Sequence, residues 1–124
     1  MPLESISKSL KKTPAVQKTV GWGFEHMSFL IPAKRLRETP SLIAFNHPRP
    51  SYAVHILIIP KKAVPSLMDL GAVDDIFLHD LVQTTQELVR ELELESKGYR
   101  LIVNGGKNQD FPQLHFHLVS GDNL

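Results

Sequence analysis

Apolar and polar positions change period several times along the chain, and each change predicts an element. Residues 53–60, AVHILIIP, are β-branched and almost continuously apolar, as in a strand buried on both faces. Shorter apolar runs predict strands over 33–37 and over 41–45, SLIAF. Between Asp74 and Gly98 the period becomes helical. Ile76, Phe77, Leu81, Thr84, Leu88 and Leu92 recur on one side, acids open the first turn and Gly98 is placed to close it. YRLIVN, 99–104, predicts another strand, GGKNQDFP a loop, and QLHFHLV, 113–119, a strand folding back as a hairpin. Several strands, one long helix and a hairpin make an α+β pattern, with a mainly antiparallel sheet covered on one face by the helix.

The strand period gives the last segment two faces. Leu114, Phe116 and Leu118 would pack beneath the helix, while Gln113, His115 and His117 would occupy the open side. Residues 1–20 stand apart as a lysine-bearing arm, with Lys8, Lys11, Lys12 and Lys18 against one acid, Glu4. Leu3, Ile6 and Leu10 would suit a short amphipathic helix, and Pro14 interrupts it. The folded domain is therefore expected over 21–124.

Composition narrows the chemistry. With 124 residues the chain makes one domain. Its formal net charge of +1 gives no overall field for nucleic acid or an anionic membrane. No cysteine is present, which removes disulfides, thiol nucleophiles and cysteine-ligated zinc. The N-terminus has no apolar core of a secretory signal, and no run is long enough to span a bilayer, so a cytoplasmic location is expected.

Histidine is the residue type left to carry reactivity. His79 falls on the polar side of the helix and reads as solvated, and His26 receives no role. His55 interrupts VHILII, where a buried imidazole must satisfy both ring nitrogens. Taken alone it is a core histidine; beside His115 and His117 it becomes part of a site. Two readings follow. The three imidazoles could ligate a metal, with Asp110 or His47 as a fourth ligand. Alternatively, a neutral imidazole could attack phosphorus while other donors meet the charge that builds on oxygen. Asn104 and the Gly105–Gly106 turn are placed to approach a phosphate.

QLHFHLV resembles the signature His-φ-His-φ-His-φ-φ (φ apolar) of the histidine-triad, or HIT, superfamily, with glutamine in the first place. IPAK (31–34), IAFNHPRP, VHILIIPKK (54–62) and GYRLIVNGG (98–106) resemble stretches of its Hint-like branch, in the same order, from about Trp22 to Gly121. The resemblance implies a five-stranded antiparallel sheet with a long helix, pairing into a homodimer with a ten-stranded sheet. It implies a purine nucleotide or nucleotide conjugate as ligand, cleaved at the α-phosphorus without metal or other cofactor. His115 would be the nucleophile, His117 and His55 would hold the phosphate, and Asn104 would position the site. The first triad position would orient the nucleophile through its backbone carbonyl, which Gln113 also possesses. Two departures bear on this. Asp110 stands where Hint-like members carry a serine, and two unit charges at ~4 Å repel by about 4 kcal/mol at an effective dielectric near 20. His47 stands where they carry an aspartate for the ribose hydroxyls, with Arg49 nearby to grip an anionic group. Three functions are thus in play: a nucleotidyl hydrolase or transferase, a non-catalytic nucleotide-binding protein, and a histidine-ligated metal protein.

Overall fold

The computed structural model describes residues 34–124. The lysine-bearing arm, the 21–30 segment with His26, and most of IPAK lie outside the described residues. Five strands form one antiparallel sheet: β1 (Arg35–Glu38), β2 (Leu42–Asn46), β3 (Tyr52–Pro60), β4 (Arg100–Val103) and β5 (Phe116–Asn123). Their order across the sheet is β1-β2-β3-β5-β4. The C-terminal strand therefore lies between β3 and β4 instead of at an edge. That placement brings His117 opposite Leu57, and His55 opposite Val119.

Helix α1 (Asp75–Glu91) covers one face of the sheet. Phe77, Leu81, Leu88 and Val89 join Leu42, Ala44, Ile56, Ile58, Leu114, Phe116 and Leu118 in the main core. Alternation explains the membership, because every second residue of β2, β3 and β5 faces the helix. The opposite residues Ile43, Phe45 and Ile59, with Leu57 beside them, form a second apolar cluster on the histidine side. β3 is accordingly apolar on both faces, as its unbroken run predicted.

Polar contacts anchor the helix to the first hairpin. Asp80 accepts hydrogen bonds from Ser41 Oγ at 2.6 Å and Thr39 Oγ1 at 3.0 Å. Arg37 pairs with Glu87 and Glu91. Ile76 departs from the expected stripe and is 69% exposed, since Phe77 takes the inward position. The helical segment is also not continuous. Glu93 adopts a left-handed conformation (φ 57°), and a second short helix, α2 (Leu94–Lys97), follows before Gly98 at φ 86°.

The largest departure concerns the start of QLHFHLV. The ladder begins at Phe116, so Gln113, Leu114 and His115 precede it. Gln113 was expected on the open face and is instead fully buried. Its side chain faces the segment after β3, accepting the Val64 N–H at 3.2 Å and donating to the Lys62 carbonyl at 3.1 Å. The Leu114 N–H donates to the Val64 carbonyl at 2.7 Å. The chain just before β5 is thereby latched to the chain just after β3.

A candidate active site of linked histidines

Four imidazoles meet on the sheet face opposite the helix. His117 comes from β5 and His115 from just before it, His55 from β3, and His47 from the turn joining β2 to β3. Ring centroids lie 5.0 Å apart for His115–His117, 5.1 Å for His55–His117 and 4.4 Å for His47–His55. Tyr52 sets its ring edge-on to His55 at 5.7 Å.

The hydrogen bonds fix which ring nitrogen carries each proton, given neutral rings. The Ser51 N–H donates to His55 Nδ1 at 3.0 Å, so the proton of His55 sits on Nε2. That Nε2–H donates to His117 Nδ1 at 2.8 Å, which places the proton of His117 on its own Nε2. His117 Nε2 is buried and has no hydrogen-bond partner. An unpaired buried donor costs about 1–3 kcal/mol, so this N–H is suited to an acceptor brought by a ligand. His115 is held differently. Its Nδ1–H donates to the Gln113 carbonyl at 2.7 Å, leaving the Nε2 lone pair available. The site thus presents one nucleophilic nitrogen beside one aimed N–H donor.

Burial disfavours the charged form of His117, His55 and His47. His117 is pushed down to about 4, first by desolvation and then by the neighbouring His115, His55 and His47. His55 is lowered by burial and by His47, and His47 by burial and by His115. Neutral imidazole is the form that supports the tautomer chain.

The other expected site residues fall into two groups. His47 joins the cluster and Arg49 lies two residues on, exposed on the same turn. Asn104 follows β4 and is half-buried, and Asp110 is exposed on the loop before β5. Gln113 serves the site only through its backbone carbonyl, while its side chain points away into the latch. Sequence reading missed Gln109, which is 1% exposed and donates from Nε2 to the carbonyls of Pro65 at 2.7 Å and Phe111 at 2.8 Å. It also missed the Ser51 backbone, because a main-chain donor leaves no residue signature. The repeated glutamines of QDFPQ were the available sign of the latch.

Among the described residues, no group of three or more His, Asp or Glu side chains is arranged to hold a metal ion.

Known proteins share this architecture. The HIT domain profile matches residues 28–124. The chain belongs to the HIT family. It is 34% identical over 94 residues to an uncharacterized HIT-like protein of Helicobacter pylori, covering 74% of this chain and 88% of the relative. A HIT family hydrolase from Legionella pneumophila superposes with a TM-score of 0.71 at 31% identity, covering 80% of this chain and 91% of that one. A histidine triad nucleotide-binding protein from Candida albicans gives 0.70 at 28% identity, covering 82% and 78%. The HIT fold, a five-stranded antiparallel sheet with one long helix, is what the sequence led us to expect. No helix among the described residues is long and apolar enough to cross a membrane.

Proposed function

We propose that this HIT protein is a nucleotidyl hydrolase or transferase acting through a covalent intermediate on His115. The observation that carries the reading is the pairing of an oriented lone pair on His115 Nε2 with the unpartnered N–H of His117. His115 Nε2 attacks the α-phosphorus of a nucleoside phosphoramidate or a (di)nucleoside polyphosphate. The bond from phosphorus to the leaving amine or phosphate breaks as the bond to His115 Nε2 forms, and the leaving group takes its proton from solvent. Water, or another acceptor in a transfer, then displaces histidine from phosphorus, releasing the nucleoside monophosphate and restoring the neutral ring. Throughout, the His117 N–H meets the charge on a non-bridging oxygen, and its chain to Ser51 holds it in the donating tautomer.

An adenosine phosphoramidate tests this reading. Intact-mass measurement during turnover should show a nucleotidyl adduct on wild type and none on His115→Ala. Equal cleavage rates for the two proteins would refute it. Calorimetric nucleotide binding with neither turnover nor adduct would leave a binding protein instead. A purine nucleotide or nucleotide conjugate is the expected ligand, and the cytoplasm the expected location.

A homodimer belongs to the same reading. β4 lies at one edge of the sheet among the described residues, and Leu101 upon it is 39% exposed. Two copies joined along β4 would make a ten-stranded sheet. Sedimentation equilibrium should give twice the chain mass, and Leu101→Lys should shift it towards the monomer. A monomeric wild type at micromolar concentration would discard the dimer.

A further inference from the structure

The turn between β2 and β3, residues 47–51, does more than connect strands. Pro48 and Pro50 flank Arg49 and stiffen the backbone. The two N–H groups at Arg49 and Ser51 are both spent on imidazoles: Arg49 N–H on His47 Nδ1 at 2.9 Å, and Ser51 N–H on His55 Nδ1 at 3.0 Å. One short turn thus sets the tautomers of two histidines in the same sense. Each must carry its proton on Nε2. His55 passes that donor on to His117, whereas the His47 ring has no further hydrogen bond among the described residues. The His47 ring lies within 20° of parallel to His117 at 6.2 Å, and its Nε2–H points away from the turn that holds Nδ1. The Arg49 side chain, exposed on that turn, makes no ion pair among the described residues.

We propose that His47 and Arg49 form a second anion subsite, selecting nucleotides that carry a second phosphate. This rests on the nucleotide reading above and specifies the ligand of that site. The chemistry of the donors carries it. A neutral imidazole held in this tautomer, with Nδ1 occupied, offers a ligand one N–H and no acceptor. A guanidinium offers donors only. A free sugar diol gains most from a partner that accepts its hydroxyl protons, and neither group can. A phosphate monoester presents acceptor oxygens alone and matches both. The His47 ring centroid lies 6.2 Å from that of His117, beside the N–H that meets the first phosphate.

Titration calorimetry with adenosine 5′-monophosphate and adenosine 3′,5′-bisphosphate tests the subsite without relying on turnover. Wild type should bind the bisphosphate about tenfold or more tightly, the increment of one charge-assisted hydrogen bond. His47→Asp, which replaces a donor by an acceptor and a repelling charge, should reverse the preference. Arg49→Gln, on an exposed turn, should reduce the preference without disturbing the fold. Equal affinities, or tighter binding of the monophosphate by wild type, would overturn the subsite and leave the nucleotide reading standing. If neither nucleotide binds, the nucleotide reading falls and the subsite with it.

Discussion

At the scale of single residues, the site is a sequence of proton positions. Ser51 fixes His55, His55 fixes His117, and the Gln113 carbonyl fixes His115. Side-chain identity matters at the histidines, but at position 113 the backbone performs the orienting. The Gln113 side chain has a separate task in the latch. Gln113→Ala removes both latch bonds and leaves the Val64 N–H and Lys62 carbonyl unpaired, a loss of about 1–3 kcal/mol. Urea denaturation should show that loss, while His115→Ala should unfold close to wild type because its ring is only half-buried. The presence of His55, His115 and His117 was legible in the sequence. The chain that joins them was not, because it runs through a backbone N–H and a backbone carbonyl that every residue type possesses.

At the scale of elements, alternation was the reliable guide. β2, β3 and β5 place their residues on the two faces that a period of two demands, and β3 is apolar on both. Periodicity was weaker where the chain changes direction. The helical pattern from Asp74 to Gly98 reads as continuous, yet the chain turns at Glu93, where a non-glycine residue takes a left-handed conformation. That conformation costs an L-residue about 1–2 kcal/mol. Glu93→Gly should therefore stabilise the fold by roughly 1 kcal/mol after the greater chain entropy of glycine is deducted, measured as a raised urea midpoint. An unchanged or lowered midpoint would mean that Glu93 is not strained. The same limit explains Gln113. Strand alternation assigned it to the open face, but the ladder starts only at Phe116, and two side-chain bonds hold it in the latch.

At the scale of the whole molecule, burying several imidazoles couples folding to pH. His117 is lowered from 6.5 to about 4, and His55 and His47 are lowered too. Between those values the unfolded chain binds protons that the folded chain refuses. Stability should accordingly be full above about 6.5 and fall as pH drops towards 4. Urea midpoints across that range should decline for wild type and decline less for His117→Asn. A flat profile would show that these rings titrate alike in the folded and unfolded chains. Neutral His47, His55 and His117 can share one surface, since each added charge would repel its neighbours.

The amino-acid pattern by itself determined the α+β class, the two faces of the central strands and the histidines that could react. Those follow from local periodicity and from the small number of residue types able to attack phosphorus. Tertiary structure alone decided that β5 inserts between β3 and β4, that Gln113 turns inward, and that His47 packs against His55. Each depends on contacts between segments distant in the chain, where packing and main-chain hydrogen bonding outweigh local preference. Sequence supplied the imidazoles, and the meeting of two strands with one proline-bearing turn gave each of them its proton.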